Sequence, residues 1–532
     1  MYVGSQLLSL PIPRSVPFIF GFIMIFFVGG ARFGIRALVL RQITHNKKPV
    51  IIYGAGDAGR KLLIALNQGS EYTPKALVDD TADLQNTEVG GLKVSSPAKL
   101  TYLISRHNAN TILLALPDPS RSFRKTILES LKNNTVEVKI MPSLEDIISG
   151  KANVSDLRPI SIYDLLGRDP VPPKKLLMEK NILGRVVLVT GAGGSIGSEL
   201  CKQILQQNPK MIILLENSEF SLYKIEEILN VMVNENKLRC RVEPVLGSIQ
   251  DFEKVFQLLS TFKVDTIYHS AAYKHVPLVE KNIISGITNN VFGTQTLARA
   301  AINANVKSFT LISTDKAVRP TNIMGASKRL AELICQSLKD SNPDIIFSMV
   351  RFGNVLNSSG SVIPRFLEQI KLGGPITVTH PDITRYFMTI EEASQLVLQS
   401  SAMAKGGDVF ILDMGNPVKI IDLAESTIRL HGLTPYYPKK EKGKLVNGDI
   451  GIIFTGLRDG EKLYEELLIE KNSLTTEHPR IMRAQELSLT SGDLEIILNN
   501  LRKACRISDL SSIQEILTDT SIGYSKKTNT VI

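Results

Sequence analysis

Short apolar segments alternate with helical patterns along most of this 532-residue chain. The first apolar segment, Pro49–Tyr53, precedes a glycine-rich stretch, a helical pattern over Arg60–Asn67 and a second apolar segment, Lys75–Asp79. The alternation continues over Thr111–Leu116, Phe123–Lys132 and Val136–Ile140. Because strands that alternate with helices favour a parallel sheet, we predict a small Rossmann-like α/β domain over residues 49–150.

A longer alternation starts at Arg185–Thr190 and predicts a second domain over residues 183–470. A helical pattern over Ser198–Gln207 and an apolar segment over Met211–Leu215 follow its first strand. Its later predicted strands are Arg241–Val245, Asp265–His269, Ser308–Ile312 and Ile345–Arg351. The chain is therefore predicted to be α/β, with two doubly wound parallel-sheet domains in tandem.

Two further segments lie outside these domains. Residues 151–182 contain four prolines and no long periodic run, which predicts a linker. Residues 471–532 are predicted to form a helical tail, with helical patterns over Asp493–Lys503 and Leu510–Leu517. The polar end of this tail, residues 525–530, is expected to fray.

The N-terminal stem, residues 1–48, contains 17 consecutive residues without a charge, Ser15–Ala31. This length is at the lower limit for a helix that crosses a bilayer, and we predict a transmembrane helix. The basic residues after it are Arg32, Arg36, Arg41, Lys47 and Lys48. They predict an inner-membrane protein whose catalytic domains lie in the cytoplasm. A signal peptide would carry its charges before the apolar segment, and a buried core helix is the other alternative.

Composition and charge exclude several classes of protein. Hydrophobic residues make up 43% and charged residues 21% of the chain, which excludes wholesale disorder. The net charge is +10, but six of the excess positive charges lie in residues 1–56, which contain no acid. Because these charges lie beside the apolar segment, we interpret them as residues that orient the protein in a membrane and not as a nucleic-acid-binding surface. Four widely spaced cysteines without a CxxC motif argue against a disulfide framework or a metal site.

The first glycine-rich turn contains Gly54, Gly56 and Gly59 and lies between a predicted strand and a predicted helix. Asp79 ends the next predicted strand, 20 residues after Gly59. Glycines permit a tight turn and a close approach of the backbone to a phosphate at the helix N-terminus. Because this domain contains no cluster of catalytic residue types, a second nucleotide site and a purely structural role both stay open.

The second glycine-rich turn follows Thr190 and has the spacing GxxGxxG, which short-chain dehydrogenase/reductase folds use. Its candidate cofactor-binding residues are Gly191, Gly194, Ser195, Ile196 and Gly197. Glu216 closes the next predicted strand, 19 residues after Gly197. An acid at this position binds the adenosine ribose and repels a 2′-phosphate, which favours NAD over NADP.

Seven motifs after residue 190 resemble those of a known family. They are Gly191–Gly197, Ala271–Pro277, Ser313–Lys316, Met324–Lys328, Arg351–Val355, Thr384–Met388 and Gly456–Lys462. Through them the chain resembles the extended short-chain dehydrogenase/reductases that modify nucleotide sugars. Within these it is most similar to the membrane-bound UDP-N-acetylglucosamine 4,6-dehydratases of bacterial polysaccharide and glycan biosynthesis. The resemblance covers residues 14–485.

The resemblance implies a reaction and a set of catalytic residues. Hydride would leave sugar C4 for tightly bound NAD, water would be lost across C5 and C6, and hydride would return to C6. The cofactor would thus be regenerated in each turnover. Asp315 would protonate the departing hydroxyl and Lys316 would remove the C5 proton. Thr314 would bind the oxygen on C4, and Lys328 the nicotinamide ribose.

A lysine acts as a base only without its extra proton, so the pKa of Lys316 should lie below its ordinary value of about 10.4. Burial and the positive charges of Lys328 and the nicotinamide ring are expected to lower it. Asp315 should then enter the cycle protonated, and the two groups form a coupled pair. The alternative is that Asp315 and Lys316 are an ordinary ion pair in a surface turn.

Met324 stands where most of the superfamily has the tyrosine of the YxxxK motif. A thioether cannot act as a base. The membrane-bound dehydratase subgroup that the chain resembles has the same methionine, so the resemblance places Met324 among the catalytic residues. The group that deprotonates the C4 hydroxyl stays open between Thr314 with Asp315 and a water. A second departure is the segment Gly247–Asp251, which lacks the aspartate expected to contact the adenine amino group.

The resemblance also implies a substrate-binding wall for a UDP-sugar. Its residues are Lys274, Asn354, Arg365, Thr377, Arg385, Arg458 and Glu461. The cations among them suit a diphosphate, because guanidinium groups bind phosphate oxygens in pairs. Thr377 is expected near the uracil, and His275 is expected to be a packing residue and not a proton carrier.

The leading hypothesis is therefore an NAD-dependent UDP-N-acetylglucosamine 4,6-dehydratase. A UDP-sugar 4-epimerase is the runner-up, because it shares the fold, the cofactor and the oxidation at C4 but needs no acid–base pair at C5 and C6. A non-catalytic nucleotide-sugar-binding regulator is a third hypothesis. A homo-oligomer is expected, and the stereochemistry at C5 of the product stays open.

Overall fold

The computed structural model describes most of the chain. The described residues are 15–36, 47–116, 120–131, 134, 136–142, 157–160, 167–169, 171–358, 360–438, 448–466, 473–484, 486, 488–518 and 522–525. Arg41 of the predicted basic cluster and most of the polar end predicted to fray lie outside them. The chain divides into two compact units, residues 1–162 with 429–433 and residues 163–428 with 434–532.

One helix near the N-terminus is long and apolar enough to cross a membrane. This 19-residue segment, Phe18–Arg36, has a mean hydropathy of 2.0, and none of it is buried. The α-helix Val16–Met24 continues through a π-helical turn over Ile25–Gly29. Arg32, which the sequence placed after the apolar segment, therefore lies inside the helix.

The first unit contains a seven-stranded sheet with the strand order β3–β4–β2–β1–β5–β6–β7. Its strands are β1 (Lys48–Tyr53), β2 (Tyr72–Val78), β3 (Glu88–Val89), β4 (Leu92–Ser95), β5 (Thr111–Leu114), β6 (Glu137–Ile140) and β7 (Arg158–Pro159). The five central strands pair in parallel, and β3 and β7 pair antiparallel at the edges. The main helices of this unit are Asp57–Gln68, Leu100–His107 and Arg121–Ser130.

The second unit contains a nine-stranded sheet with the strand order β10–β9–β8–β11–β12–β13–β18–β23–β22. Its strands are β8 (Val186–Thr190), β9 (Met211–Glu216), β10 (Arg241–Leu246), β11 (Thr266–His269), β12 (Ser308–Ile312), β13 (Ile346–Arg351), β18 (Asp408–Leu412), β22 (Ser473–Thr475) and β23 (Ile481–Ala484). The strands from β10 to β18 pair in parallel. The two parallel sheets confirm the predicted α/β class, with two Rossmann-like sheets in one chain.

The order of the second sheet reverses between β8 and β11, which are neighbours although β9 and β10 lie between them in sequence. A crevice forms at such a point, beyond the carboxyl ends of the strands. Alternate residues of β8 point to opposite faces, so Val187 and Val189 enter one core cluster, and Val186 and Leu188 enter another. Both faces are covered, which explains the uninterrupted apolar run of this strand.

The longer helices of the second unit and its short strands complete the framework. The helices are Lys175–Glu179, Ser195–Gln206, Glu219–Glu235, Phe252–Phe262, Val276–Lys281, Ile283–Ile287, Thr294–Asn303, Ile323–Ser341, Val362–Lys371, Ile390–Met403, Ile420–Leu430, Ser491–Arg506 and Leu510–Leu517. The short strands are β14 (Asn354–Val355), β15 (Ile376–Val378), β16 (Thr384–Arg385), β17 (Phe387–Met388), β19 (Val418–Lys419), β20 (Pro435–Tyr436) and β21 (Ile450–Phe454).

Residues 471–532, predicted as a helical tail, contribute strands as well as helices. Their strands β22 and β23 extend the second sheet: β23 pairs antiparallel with β18, and β22 pairs antiparallel with β23. Leu494, Leu498 and Leu501 of the helix Ser491–Arg506 share a core cluster with the helix Ile323–Ser341. This segment therefore packs into the second unit, where it supports a helix that carries candidate catalytic residues.

Candidate active site

The glycine turn after β8 has a shape that only glycine permits. Gly191 has a φ of +65°, in the left-handed region. A Cβ atom on Gly197 would lie 2.0 Å from the carbonyl oxygen of Gly191, and one on Gly193 would lie 2.4 Å from Cβ of Ser221. The helix Ser195–Gln206 starts directly after this turn, at the N-cap residue Gly194. Its first backbone N–H groups suit a bound diphosphate.

Glu216 fixes this turn to the end of β9. Its carboxylate accepts hydrogen bonds from the backbone N–H groups of Gly193 at 3.0 Å, Asn217 at 2.9 Å and Ser218 at 3.1 Å. A carboxylate offers about four acceptor positions, so one stays open for a ribose hydroxyl. The tight glycine cradle and the buried acid at its side therefore fit a dinucleotide.

A cavity of about 910 Å³ opens beside this turn and brings together most of the predicted site. The predicted residues that line it are Gly194, Ser195, Ile196, Lys274, Thr314, Lys316, Met324, Lys328, Asn354, Arg365, Thr377, Arg385, Arg458 and Glu461. Gly191, Gly197, Glu216 and Asp315 are not among its lining residues. The cavity thus joins the predicted cofactor turn, the predicted catalytic residues and the predicted substrate wall.

Thr314, Asp315 and Lys316 follow β12 and form a tight turn at its carboxyl end. The Thr314 hydroxyl accepts from the backbone N–H of Lys316 at 3.4 Å and donates to Oδ1 of Asp315 at 2.9 Å. The side chain of Asp315 is only 1% exposed, which excludes an ordinary surface turn. In the described part of the chain, its second oxygen, Oδ2, is buried without a hydrogen-bond partner. One oxygen of the Asp315 side chain therefore has no hydrogen bond from the described residues.

Lys316 lies among acids. Its Nζ is 3.0 Å from Oδ1 of Asp315, 3.2 Å from Oδ1 of Asn354 and 3.7 Å from Oε1 of Glu465. Burial acts to lower the pKa of Lys316, but the charges of Asp315 and Glu465 outweigh it and raise that pKa above its ordinary value. The predicted lowering of the pKa of Lys316 was therefore wrong, because the charges of Asp315 and then Glu465 outweigh burial.

The pKa of Lys328 shifts in the opposite direction, to a lower value. Its ammonium is buried and donates to the backbone oxygen of Ile312, the last residue of β12, at 2.6 Å. Burial lowers the pKa of Lys328 to about 8, against smaller opposing effects of Glu332 and Cys335. Lys328 therefore titrates near physiological pH, whereas Lys316 holds its proton tightly.

Met324 lies in the first turn of the helix Ile323–Ser341, one turn before Lys328. Asn322 caps this helix, and its side-chain oxygen accepts from the N–H of Gly325 at 2.8 Å. Met324 is 3% exposed and lines the cavity, so its thioether stands at the wall of the site. The side chain of Met324 has no oxygen that could act as an acid or a base, as the sequence indicated.

A buried ionic cluster supports the turn that follows β12. Glu332 accepts from the hydroxyl of Ser313 at 2.6 Å and from two nitrogens of Arg351, at 2.8 and 2.6 Å. Arg329 and Glu486 complete the cluster. Burial opposes the charge of Glu332, but the two arginines dominate and lower its pKa to about 2. Ser313, which precedes Thr314, is thereby held in one position.

The substrate wall differs in one respect from the predicted set of free cations. Arg385 on β16 pairs with Glu461 at 3.3 Å and with Glu465 at 3.7 Å, and it donates to the backbone oxygens of Thr384 and Leu463. The carboxylate of Glu461 also accepts from the backbone N–H of Arg458 at 3.1 Å. Arg385 is therefore bound to two acids in the protein without substrate.

The remaining wall residues come from separate elements. Asn354 lies on β14, Arg365 is an exposed residue of the helix Val362–Lys371, and Thr377 on β15 accepts from Nε2 of Gln369 at 2.8 Å. Lys274 follows β11 at the open side of the cavity, where loss of solvent and the charge of Lys316 lower its pKa. The cavity therefore presents cations from several directions.

Two residues of this region were not identified from the sequence. Glu465 was missed because it and Glu466 are adjacent acids that look alike, although only Glu465 is buried. His269, at the end of β11, is buried between the hydroxyls of Thr190 and Thr294, at 2.7 and 2.9 Å. The sequence feature that could have identified His269 is its position at the carboxyl end of a predicted strand.

The first unit repeats the local geometry of the glycine turn. Gly54 has a φ of +108°, and a Cβ atom on Gly59 would lie 1.9 Å from the oxygen of Gly54. Gly56 caps the helix Asp57–Gln68, and Asp79 accepts from the N–H of Ala55 at 2.6 Å. An acid at the end of the second strand thus binds the turn in both units. Ligand binding at this second turn stays a prediction.

Comparisons with known proteins agree with this geometry. The family model described as "Polysaccharide biosynthesis protein" matches residues 187–486. The capsular polysaccharide biosynthesis protein CapD of Staphylococcus aureus is 42% identical over 483 residues, 89% of this chain and 78% of its own. The probable polysaccharide biosynthesis protein EpsC of Bacillus subtilis is 41% identical over 458 residues, 85% of this chain and 73% of its own.

A UDP-glucose 4-epimerase of Rickettsia typhi is a more distant relative, 31% identical over 53% of this chain and 77% of its own. The family model covers more than half of the chain, and CapD and EpsC are similar over most of their length. The chain therefore belongs to the polysaccharide biosynthesis protein family, among the extended short-chain dehydrogenase/reductases that resemble nucleotide-sugar dehydratases and epimerases.

Proposed function

We propose that the protein is an NAD-dependent UDP-N-acetylglucosamine 4,6-dehydratase, a lyase that makes UDP-4-keto-6-deoxy-N-acetylhexosamine for polysaccharide or glycan biosynthesis. The observation that carries the proposal is the Asp315–Lys316 pair, whose charged atoms lie 3.0 Å apart beside the cavity. Loss of water across two adjacent sugar carbons needs an acid and a base close together.

The glycine turn of residues 191–197 and Glu216 would hold NAD, with the diphosphate at the helix Ser195–Gln206 and the adenosine ribose at Glu216. Bound NAD would supply a reversible hydride acceptor for the oxidation at C4. Lys328 would donate to the nicotinamide ribose in its charged form. The hydroxyl of Thr314 lines the cavity and would bind the oxygen on C4.

The raised pKa of Lys316 sets a condition on this mechanism. One proton must first move from Nζ of Lys316 to Oδ1 of Asp315, which converts the ion pair into a neutral amine and a carboxylic acid. A filled cavity excludes water and thereby disfavours the charged pair. The amine then takes the C5 proton, and the acid gives its proton to the departing C6 hydroxyl. Both groups return to their charged forms, so the protons of the water-loss step balance. Lys316 would then return its proton to C5 when hydride adds to C6, and the proton released from the C4 hydroxyl would restore the charge of Lys316.

The substrate diphosphate would meet Lys274, Arg365 and Arg458, with Asn354 close to Lys316 and Thr377 near the uracil. Arg385 is paired with Glu461 and Glu465 in the structure. A diphosphate would compete with these carboxylates for the guanidinium, because phosphate oxygens can bind it in pairs, whereas each carboxylate contacts it through a single oxygen. We therefore expect Arg385 to exchange partners when the substrate binds.

A UDP-sugar 4-epimerase is the second candidate, since a relative of that name is 31% identical over half of the chain. Incubation of the purified protein with UDP-N-acetylglucosamine, followed by mass spectrometry, separates the candidates. A dehydratase removes one water from the sugar nucleotide, and an epimerase yields an isomer of unchanged mass. A non-catalytic binding protein would leave the substrate unchanged.

Replacement of Lys316 tests, in the same experiment, whether this residue is the base that removes the C5 proton. We expect Lys316→Ala to abolish water loss, because no other amine of the described site contacts Asp315, while the NAD content of the purified protein stays unchanged. Lys307→Ala is the matched control, since Lys307 is exposed at the other end of β12. Full water loss by Lys316→Ala would exclude Lys316 as the base.

The helix Phe18–Arg36 is proposed to tether the protein to the inner membrane, with both α/β units in the cytoplasm. Its length, its hydropathy and the basic residues that follow the apolar segment support this orientation.

A further inference from the structure

Glu465 is a buried acid at the edge of the proposed catalytic pair. Its side chain is 4% exposed, and Oε1 lies 3.7 Å from Nζ of Lys316 and 3.7 Å from Nε of Arg385. Among the described residues, no group binds its second oxygen, Oε2, although that atom is buried. A buried carboxylate with one unbound oxygen costs free energy of folding, so packing alone does not explain it.

The adjacent acid has the opposite surroundings. Glu466 is 42% exposed and pairs with Arg319 at 3.3 Å and Lys462 at 3.7 Å. The two residues have the same side chain and lie on the same segment, but only Glu465 is buried next to Lys316. The burial of Glu465 is therefore a property of its position and not of the segment as a whole.

We propose that Glu465 is a positioning residue for Lys316: its carboxylate holds the amine beside Asp315 and strengthens it as a base. This inference rests on the proposed function. The base step forms an ammonium from an amine, so a fixed negative charge 3.7 Å away stabilises its product. Glu465 takes no proton itself, and the Asp315–Lys316 pair keeps the proton balance given above.

The charges around Lys316 come from four elements. Asp315 lies in its own turn, Arg385 is on β16, Glu465 is on the segment after β21, and Lys274 follows β11. Arg385 and Lys274 oppose a charge on Lys316, whereas Asp315 and Glu465 favour it. Removal of Glu465 leaves one acid against two cations, so the balance shifts toward the neutral amine.

The variant Glu465→Gln keeps the shape of the side chain and removes its charge. We expect the pKa of Lys316 to fall by about one unit, since an opposite charge at this distance shifts a pKa by roughly one to three units. The basic limb of the kcat profile for water loss, where the pair loses its shared proton, should then move to lower pH by the same amount. The plateau of kcat should fall about tenfold, because the amine is no longer held beside Asp315 and a misplaced catalytic group reacts more slowly.

A second measurement is independent of catalysis. The rate at which acetic anhydride modifies Lys316 follows its neutral fraction, so mass spectrometry of the labelled protein over a pH series gives its pKa directly. Glu465→Asp, with a shorter side chain, should give a smaller shift than Glu465→Gln. Glu466→Gln is the matched control and should change neither the labelling nor the kcat profile.

The outcomes distinguish this inference from the proposed function. Absence of water loss in the wild-type protein would contradict the proposed function, while the labelling still measures the effect of Glu465 on Lys316. An unchanged labelling pKa in Glu465→Gln would overturn the inference. A lower plateau without any shift of the basic limb would do the same, since a residue with a merely structural role would give that result.

Discussion

Two lysines of the cavity hold their protons with different strength because their neighbours differ. Lys316 faces the carboxylates of Asp315 and Glu465, which raise its pKa. Lys328 is buried next to a backbone carbonyl, and its pKa falls to about 8. Because both residues are lysines, the residue type alone does not predict which of them has the lower pKa. The difference arises from residues that the chain brings together only on folding.

Lys328 should make NAD binding depend on pH. Its charged form, which would donate to the ribose in the proposed function, is complete well below pH 8 and is lost as the pH rises through about 8. We expect NAD affinity to fall above this pH in equilibrium dialysis. Lys328→Met should bind NAD about tenfold or more weakly at pH 7, since a hydrogen bond from a charged group contributes about 1.5–3 kcal/mol. It should also lose the pH dependence.

Lys307→Met is the control for this measurement, because Lys307 is exposed at the amino end of β12. It should bind NAD as the wild-type protein does at every pH. If Lys328→Met retained the wild-type decline above pH 8, another group would be responsible, and the assignment of Lys328 to the ribose would have to be given up.

At the scale of single residues, the sequence indicated the residue types of the site but not their electrostatics. Thr314, Lys316, Met324 and Lys328 were located by motif, and all of them line one cavity. The predicted sign of the pKa shift of Lys316 was wrong, because the charge of Asp315 raises this pKa and Glu465, 149 positions away in sequence, adds to the effect. No local pattern separates this buried acid from its exposed neighbour.

Among the elements, the turn between β8 and the helix Ser195–Gln206 is the most sensitive to substitution. In Gly197→Ala the new Cβ atom would lie 2.0 Å from the oxygen of Gly191, so the turn must move. We expect this variant to remain folded by circular dichroism but to lose at least about tenfold in NAD affinity, because the helix N-terminus is displaced from the diphosphate.

Gly492→Ala is the corresponding control. Gly492 lies in the first turn of the helix Ser491–Arg506, where a Cβ atom would meet nothing within 4 Å. Its NAD affinity should equal that of the wild-type protein, and its stability should rise slightly, since alanine favours a helix. Wild-type NAD affinity in Gly197→Ala would show that the turn does not hold the cofactor.

The elements themselves were predictable to different degrees. β12 has the predicted limits, Ser308–Ile312, because both its faces are buried and its apolar run is uninterrupted. The helix predicted from Ser198 begins at Ser195, since the glycine turn passes directly into it. β14 and β16 contain two residues each and were not predicted, yet they position Asn354 and Arg385. Such short strands depend on partners elsewhere in the chain.

At the scale of the whole molecule, the buried ionic cluster links β13, the helix Ile323–Ser341 and Glu486. Glu332 has a folded-state pKa of about 2, below its ordinary value of about 4.3. Its contribution to stability is therefore complete above about pH 4.3 and is lost as the pH falls through 2. We expect the free energy of unfolding, measured with urea at each pH, to decline over this range.

Arg351→Met should lower that free energy by about 3–5 kcal/mol at pH 7, because it leaves buried carboxylates without their partner. The control is Arg241→Met, since Arg241 is 62% exposed and pairs with Glu243 at the surface. Its effect should stay below about 1 kcal/mol. Equal losses in the two variants would contradict a stabilising role of the buried cluster.

Membrane attachment belongs to the whole molecule, because a single helix would hold both α/β units at the bilayer. Phe22 and Phe26 are exposed in the middle of the apolar helix. An arginine near the centre of a membrane helix costs about 3 kcal/mol, so Phe22→Arg with Phe26→Arg should release most of the full-length protein from carbonate-washed membranes. Phe220→Arg, a change at an exposed residue of the helix Glu219–Glu235, should leave it in the membrane fraction. Retention of the double variant would show that other parts of the chain attach the protein to the membrane.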